Sequence, residues 1–429
     1  MAFYMSKCLF RFVGNLPDYL QAYHNHIQRL LGISPIILYL CRHNKDLPVS
    51  GRPLSYIYKK ERQPYPVTTA GNKNFHTQLI CITMKTHTLL LSVLFMLISS
   101  AAYAQNICYN LQRIWGDGST HCAFTSLTEY KGSYYCAFRE GFSHIFNENG
   151  NADGRIHIIS SPDGNKWETA AIIAKEGFDL RDPKLSVTPK GELMLLMGCS
   201  LYKNQKLESS STLVAFSKNG RKFSGPKQVK VTSTAAQDFA WLWRVTWHKG
   251  TGYGVSYFKA GDQNKLELVT TRDGQQYKVI KTFDLPGYPN ETTVRFDDND
   301  RMLLFVRREN GNRSAMMLSS VPPYTDWKQK ELGFFCGGPD AYVSAKGKIL
   351  LGGRETHMPS RPKTMIYCGN ADGDFHETLI LPSLGDNSYP SFLKVGNEMW
   401  ITYYSCHETA KPSIFLAKIP LTFFSTARE

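Results

Sequence analysis

The side chains that could carry chemistry are arginines close to carboxylates, with histidines and aromatic residues among them. A guanidinium group binds a carboxylate bidentately, whereas lysine offers only a point charge, so this pattern favours a pocket for an anionic ligand. The alternative is that the arginine–aspartate pairs link neighbouring structural units, and the turn-like segment 179–183 favours that alternative. The residues concerned are His121, Arg139, Glu140, His144, Asp179, Arg181, Asp182, Trp243, Arg244, Glu291, Arg307, Arg308, Asp340, Arg354, Asp386, Tyr389, Tyr403, Tyr404, His407 and Glu408.

The elements that must position these residues are β-strands. From residue 109 onward, short runs of Val, Ile, Tyr, Phe and Trp are separated by Gly, Asn, Asp and Lys-Gly turns, which is typical of an all-β chain. A segment of the form Ser/Thr-x-Asp/Asn-Gly-x-x-aromatic recurs about every fifty residues. Its side chains are suited to bonding the backbone of a tight turn, with Gly in the left-handed position, so we assign it a structural role. The copies lie at 161–167, 217–223 and 271–277, with weaker ones at 326–327 and 370–375.

A hairpin of two apolar strands precedes each of these turns, and six such hairpins fit between residues 106 and 421. Six four-stranded antiparallel units of about fifty residues predict a six-bladed β-propeller over 106–421, closed by pairing of 111–114 with the last blade. A β-sandwich would not explain the fixed period. Because the inner strands of a propeller line a central channel, we expect the polar residues above to meet at one end of it.

The charge and composition of the chain exclude several classes of protein. The 429 residues are 42% hydrophobic, which is sufficient for a large core and rules out disorder for the bulk of the chain. Residues 1–104 hold 11 Lys and Arg against 3 Asp and Glu, leaving 39 against 33 for the rest. More than half of the net charge of +14 therefore lies in the first quarter, and the main body shows no basis for nucleic-acid binding.

Residues 84–104 have the pattern of a secretory signal peptide. A lysine precedes an apolar run over 89–98, and Ala102-Tyr103-Ala104 forms a small-x-small cleavage site. A signal anchor is the alternative, but the apolar run is well short of the ~20 residues that span a bilayer. We expect Met84 to be the true initiator, residues 1–83 to lack a packed domain, and a secreted or periplasmic protein to begin at Gln105, without a membrane span.

The cysteine and histidine spacings indicate neither a redox centre nor a metal centre. Seven cysteines follow residue 104, with no CxxC pair among them, and the histidines are scattered. We therefore expect buried free thiols, no metal site and no cofactor.

The recurring turns and the predicted propeller resemble the sialidase superfamily, whose six-bladed propellers carry Asp-box (BNR) repeats. The resemblance covers about 106–421, although the turns here lack the spacer residue usual between the Asp and the Gly. It implies an exo-acting, exo-α-sialidase-like glycoside hydrolase without a cofactor. Its partner would be a glycan or glycoconjugate that ends in an acidic sugar.

The resemblance assigns the catalytic pair. Tyr389 lies on the predicted first strand of the last blade, where the family has its catalytic tyrosine, and Glu291 on that of the fourth blade, where the family has the activating glutamate. A sugar whose anomeric carbon bears a carboxylate would repel an anionic nucleophile. A neutral tyrosine that loses its proton to Glu291 during attack avoids this repulsion.

The resemblance also implies a set of substrate-binding arginines. Arg307 or Arg308, together with Arg354, match the carboxylate-binding arginines of the fourth and fifth blades, and Arg139 matches an additional arginine of the first blade. Arg244, among the polar residues predicted to face the channel, is a further candidate.

Two positions depart from the family pattern. His121 stands where the family has its first arginine, so we treat it as a substrate-binding candidate. The aspartate acid/base of the family has no clear counterpart, and among His144, Glu148 and Asp153 in the corresponding loop we prefer His144. The substrate could therefore be sialic acid, another ulosonic acid or a uronic acid.

Two other functions remain open from the sequence. A structural or partner-binding propeller would have no convergent charged pocket. A non-catalytic glycan-binding propeller would use aromatic side chains to stack on sugars. The residues that would do so are Trp241, Trp243, Tyr403 and Tyr404.

Overall fold

The computed structural model of the protein describes residues 109–233, 238–356 and 362–426. The predictions for residues 1–83 and for the signal peptide at 84–104 lie outside these ranges. The described residues form twenty-five strands and one short helix, α1 (Leu421–Thr426). Within this part of the chain, no helix has the length and apolar character needed to cross a membrane.

The strands form six sheets, which are the six blades of a β-propeller. Blade 1 contains β2 (His121–Tyr130), β3 (Ser133–Gly141), β4 (Arg155–Ser161) and β5 (Glu168–Ile173). Blade 2 contains β6 (Asp179–Val187), β7 (Leu193–Lys203), β8 (Lys206–Ser217) and β9 (Lys227–Gln228). Blade 3 contains β10 (Lys230–Thr232), β11 (Asp238–His248), β12 (Thr251–Ala260), β13 (Gln263–Thr271) and β14 (Gln276–Phe283). Blade 4 contains β15 (Pro289–Phe296), β16 (Met302–Arg308), β17 (Met316–Ser320) and β18 (Lys328–Glu331). Blade 5 contains β19 (Gly337–Val343), β20 (Ile349–Glu355), β21 (Lys363–Gly369) and β22 (Phe375–Leu381). Blade 6 contains β23 (Ser388–Val395), β24 (Glu398–Ser405), β25 (Ser413–Pro420) and β1 (Asn110–Trp115).

The prediction of an all-β, six-bladed propeller with four-stranded antiparallel blades is confirmed. The N-terminal strand β1 pairs antiparallel with β25, with Leu111 opposite Ala417, so the two ends of the described chain close the ring. Blade 3 departs from the pattern, because the short strand β10 adds a fifth, parallel strand beside β14.

The recurring turns have the predicted chemistry. In the first copy, the Gly164 amide donates to Ser161 Oγ at 2.8 Å and the Asn165 amide donates to Asp163 Oδ1 at 2.9 Å. Gly164 has a φ of 73°, in the left-handed region that Gly adopts without strain. These turns join the third and fourth strands of their blades, so they lie on the outer side of the propeller and not near the inner strands.

The hydrophobic core is a ring of six clusters, each between two neighbouring blades. Strand β7 shows why its sequence is an uninterrupted apolar run. Leu193 and Leu195 pack into the cluster shared with blade 1, whereas Met194 and Leu196 pack into the cluster shared with blade 3. Side chains alternate between the two faces of a strand, and both faces of a blade are buried, so both sets must be apolar.

The six cysteines of the described chain are free thiols, as the sequence predicts. Five are buried, and Cys406 is partly exposed.

Every inner strand carries the same irregularity near its start. In each blade the register with the second strand advances by three residues on the inner strand and two on its partner, which defines a β-bulge with one extra residue. A bulge re-aims the side chains beside it. The bulged positions are 124–125, 182–183, 243–244, 290–291, 338–339 and 389–390, and β11 has a second bulge at 239–240.

Four of these bulges hold a non-glycine residue in the left-handed region. Phe124, Asp182, Phe239 and Tyr389 have φ values of 65°, 49°, 54° and 50°. This conformation costs roughly 1–2 kcal/mol for a residue with a Cβ, and such strain is concentrated at functional sites. Pro183 and Pro390 follow two of them at positions that need no ladder amide, which is why proline is accepted in an inner strand here.

Candidate active site

The bulges of blades 4 and 6 bring Glu291 and Tyr389 into direct contact. The Tyr389 hydroxyl donates a hydrogen bond to Glu291 Oε1 at 2.6 Å, although the residues are 98 positions apart. Each residue is 7% exposed, so the bond is largely shielded from water. A scaffold without a convergent charged pocket does not account for this arrangement.

Arg307 and Gly338 complete the surroundings of this pair. Arg307 Nη1 donates to Glu291 Oε2 at 2.7 Å and to the Tyr389 hydroxyl oxygen at 2.9 Å. The Gly338 amide also donates to Glu291 Oε2, at 2.8 Å. A Cβ at Gly338 would lie 2.5 Å from Tyr389 Cγ, so only glycine leaves room for the ring.

These contacts set opposite protonation preferences for the two groups. Burial disfavours the Glu291 carboxylate, but the charge of Arg307 and the hydrogen bonds to both oxygens outweigh burial and hold the pKa of Glu291 below its ordinary value. Burial, reinforced by the Glu291 charge, raises the pKa of Tyr389 well above its ordinary value. At neutral pH the pair is therefore a carboxylate acceptor beside a neutral phenol.

Arg354 lies on the other side of Tyr389. Its guanidinium carbon is 5.5 Å from the centroid of the Tyr389 ring. Nη2 donates to the Tyr404 hydroxyl at 2.6 Å and to Asp386 Oδ1 at 3.1 Å. Because its side chain is 19% exposed, Arg354 remains accessible to a ligand.

Arg308, in contrast, does not join this cluster. Successive residues of a strand point to opposite faces, so Arg307 and Arg308 cannot both reach the channel. Arg308 Nε donates to the Ser314 carbonyl at 2.6 Å and Nη2 pairs with Glu331 at 2.6 Å, within blade 4. Of the two alternatives, the structure places Arg307 beside the Tyr389–Glu291 pair.

Arg139 and Arg244 are buried and link blades, so the geometry does not support direct substrate binding by either residue. Arg139 is 0% exposed and Nε binds Asp179 of blade 2 at 2.9 Å. It also donates to the Ser143 carbonyl at 2.7 Å, which braces the loop that carries His144. Arg244 Nη1 binds Asp340 Oδ2 of blade 5 at 3.2 Å.

His121 and His144 meet on one carboxylate oxygen. His121 Nε2 lies 2.9 Å and His144 Nδ1 lies 2.7 Å from Asp386 Oδ2. Burial lowers the pKa of His121, and despite burial, hydrogen bonds from both histidines hold the pKa of Asp386 far below its usual range. The side chain of His121 is 6% exposed, whereas that of His144 is 45% exposed and is open to a ligand.

Two further buried groups lie near the Tyr389–Glu291 pair, and the sequence analysis predicted a site role for neither of them. Asp182, which we interpreted as part of a turn, lies on the bulge of blade 2, and burial raises its pKa. Lys184 is 2% exposed, and its Nζ has no hydrogen-bond partner among the described residues. That Nζ lies 4.3 Å from the ring centroid of Trp243 and 6.0 Å from that of Tyr389. The Asp182-Pro183 dipeptide, which corresponds to Tyr389-Pro390 in blade 6, was the available signal.

We expect Lys184 to make stability rise with pH. Burial, together with the charge of Arg244, lowers the pKa of Lys184 from 10.5 to about 8. Between these two values the folded protein loses this proton while the unfolded chain keeps it, so the free energy of unfolding increases with pH. Urea unfolding at pH 7 and pH 10 should show a gain about 2 kcal/mol larger for the wild type than for Lys184→Met. Equal gains in the two proteins would show that Lys184 is an ordinary lysine.

A non-catalytic glycan-binding propeller would use four aromatic residues to stack on sugars, and three of these four are buried. Trp243 is 1% exposed, and Tyr403 and Tyr404 are 0% exposed. Trp243 packs against the Tyr389 ring, with centroids 5.8 Å apart, and only Trp241 of the four is partly exposed. The stacking surface predicted for a non-catalytic glycan-binding propeller is therefore wrong for these three residues.

Comparison with known proteins shows a likeness in fold alone. No protein-family model and no curated protein matches the sequence. A protein of unknown function from Dyadobacter fermentans is similar in structure at 17% identity, with a TM-score of 0.63 over 72% of this chain and 97% of that one. Trypanosoma rangeli sialidase gives 12% identity and a TM-score of 0.58 over 74% of this chain and 60% of its own. Penicillium chrysogenum α-L-arabinanase is 14% identical, with a TM-score of 0.57 over 73% of this chain and 99% of its own.

These likenesses establish a shared six-bladed fold. The match spans about 60% of the Trypanosoma rangeli chain, which therefore has further regions outside the propeller match.

Proposed function

We propose that the protein is an exported, exo-acting glycoside hydrolase of the sialidase type, which removes a terminal acidic sugar. The observation that carries this proposal is the 2.6 Å hydrogen bond from Tyr389 to Glu291, with Arg307 bound to both. The structural neighbours support it, because they include a sialidase and an arabinanase.

The geometry suits nucleophilic attack by tyrosine. As the Tyr389 oxygen bonds to the anomeric carbon, its proton moves to Glu291 Oε1, and the leaving oxygen takes a proton from an acid on the opposite side. In the second step the same acid, now deprotonated, takes a proton from the water that attacks the anomeric carbon, and the departing Tyr389 oxygen takes its proton back from Glu291. Arg307 stabilises the charge that develops on the phenol oxygen, because Nη1 already lies 2.9 Å from it.

Arg307 and Arg354 are proposed to hold the sugar carboxylate. They flank Tyr389 and both are partly exposed, at 17% and 19% of their side-chain surface. The position of the family's first arginine is occupied by His121, which is hydrogen-bonded to Asp386. A two-guanidinium clamp leaves sialic, other ulosonic and uronic acids as candidate sugars.

The test of the function is a panel of activated aryl glycosides of acidic sugars, with glycosides of arabinose and other neutral sugars as controls. The proposal predicts turnover of at least one acidic glycoside and none of the neutral ones. Saturable binding of acidic sugars without turnover would instead identify a non-catalytic glycan-binding propeller.

His144 is proposed as the general acid and base, with Asp386 orienting its ring. Replacing His144 by Gln should lower kcat by roughly 10²- to 10⁴-fold on a glycoside with a poor leaving group, because that oxygen needs the proton. The loss should be much smaller for an activated aryl glycoside, whose leaving group needs no acid. Rates measured against leaving-group pKa would show this as a steeper dependence in the variant. Parallel dependences in variant and wild type would remove His144 from the acid role.

Export is proposed from residues that the structure does not describe. The signal pattern at 84–104 predicts a mature chain that begins at Gln105. Mass spectrometry of the protein from the periplasm or culture medium should find that N-terminus. A mature N-terminus upstream of Met84 would contradict both the signal peptide and the choice of initiator.

A further inference from the structure

Three side chains of types that can ligate a metal ion converge beside Arg354, where blade 6 closes against blade 1. His121 is the first residue of β2, His144 belongs to the loop between β3 and β4, and Asp386 precedes β23. One nitrogen of each imidazole and one carboxylate oxygen all lie within 4.8 Å of one another. Asp386 Oδ2 is common to both contacts, at 2.9 Å and 2.7 Å.

The donor chemistry selects a class of ion. Two imidazole nitrogens and one carboxylate oxygen are ligands that Zn²⁺ prefers, at about 2.0–2.2 Å each, whereas Mg²⁺ and Ca²⁺ require oxygen ligands throughout. Three protein ligands leave a fourth position for water. The exposed side of His144 supplies the space for that water, since 45% of its side chain is open.

The surroundings of the carboxylate suit a ligand of this kind. The oxygen that faces away from the histidines, Asp386 Oδ1, accepts hydrogen bonds from Arg354 and Tyr404, each at 3.1 Å. Outer hydrogen bonds of this sort fix the orientation of metal ligands. His144 lies on a loop, so it can shift by the roughly 0.5 Å needed to replace a hydrogen bond by two metal bonds.

We propose that His121, His144 and Asp386 form a site for a divalent transition ion, with Zn²⁺ as the best match, and that the bound ion inhibits the enzyme. The binding half stands on the geometry alone, and the inhibition half rests on the proposed function. An ion bound to His144 Nδ1 and Asp386 Oδ2 replaces the 2.7 Å hydrogen bond through which Asp386 is proposed to orient the ring. The ring is then held by the ion and not in the orientation for proton transfer, so acid catalysis stops while the ion is bound.

The binding half is tested with ZnCl₂ and CoCl₂ on the mature protein. Calorimetry should show one Zn²⁺ per chain, tighter at pH 8 than at pH 6 because binding displaces protons. Co²⁺ should produce the visible absorption of a low-coordinate site. His121→Asn and Asp386→Asn should each weaken binding at least about tenfold. Absence of binding, or equal binding by these variants, would overturn the site.

Two control variants separate this site from other donors. His248 forms a similar pair with Asp300, at 2.8 Å, away from the pocket, so His248→Asn should leave Zn²⁺ binding unchanged. Cys406 Sγ lies 3.7 Å from the Asp386 carbonyl, so Cys406→Ser tests for a thiolate ligand. Loss of binding in Cys406→Ser, with a thiolate charge-transfer band in the Co²⁺ protein, would contradict the proposed ligand set.

The inhibition half is tested on an acidic glycoside with a poor leaving group, because only such a substrate needs the proton from His144. Zn²⁺ should lower kcat at the concentration that saturates the calorimetric site, and a chelator should restore it. Zn²⁺ binding without inhibition, or loss of activity on chelation, would overturn the inhibition while leaving the site intact. If no glycoside is hydrolysed, the proposed function fails and the binding measurements still decide the site.

Discussion

Tyr389→Phe is expected to lower kcat on an activated acidic glycoside by roughly 10³-fold or more, because it removes the attacking oxygen. Glu291→Gln should give a loss of similar size, since the phenol then has no carboxylate to take its proton. The double variant should be little worse than either single one, because residues that act as a unit are not additive.

The matched control is a second buried Tyr–Glu pair. The Tyr367 hydroxyl donates to Glu355 Oε2 at 2.8 Å, between β21 and β20 of blade 5. Tyr367→Phe should reduce the free energy of unfolding by about 1 kcal/mol while leaving kcat unchanged. Near-full activity of Tyr389→Phe would show that the tyrosine mechanism is wrong, and a carboxylate mechanism would then have to be sought.

Arg354→Lys is expected to weaken the binding of acidic sugars by roughly 30- to 1000-fold, because a charge-assisted bidentate pairing in a shielded site is worth a few kcal/mol. Affinity for the matching sugar carboxamide should change much less. Calorimetry with the acid and the amide measures both, and urea unfolding measures stability.

Arg308→Lys serves as the comparison for Arg354. Its guanidinium binds Ser314 and Glu331 within blade 4, so the change should lower the free energy of unfolding and leave sugar affinity unaffected. If Arg354→Lys lowered stability as much as Arg308→Lys and left affinity unchanged, Arg354 would be a structural link and not part of a clamp.

The sequence predicts the architecture because its signals are local. Each Ser/Thr-x-Asp/Asn-Gly turn forms its own hydrogen bonds, and the period of about fifty residues follows from one four-stranded blade per repeat. The pairing of Tyr389 with Glu291 was predicted from the resemblance to the sialidase superfamily, because each lies near the start of a predicted inner strand at the place where that family has its tyrosine or its glutamate.

The details of the site could not be predicted because they depend on bulges and on closure of the ring. One extra residue in an inner strand changes which side chains face the channel, so Asp182 was mistaken for part of a turn. The choice between Arg307 and Arg308 depends on which face of β16 meets the channel. Both faces of this strand are apolar, so its sequence does not indicate which arginine faces the channel. The contacts of Asp386 with His121 and His144 span 265 and 242 residues, respectively, and exist only because the last blade closes on the first.

The central claim, that Tyr389 is the nucleophile, is tested most directly by trapping the glycosyl-enzyme. The enzyme is incubated with a fluorinated form of an acidic sugar that it hydrolyses, with one fluorine as the leaving group on the anomeric carbon and one on the neighbouring carbon. The adduct is located by peptide mass spectrometry. The account predicts one sugar per chain, attached to the peptide that contains Tyr389, and no adduct in Tyr389→Phe. An adduct on Glu291, Asp182 or any other carboxylate would contradict it.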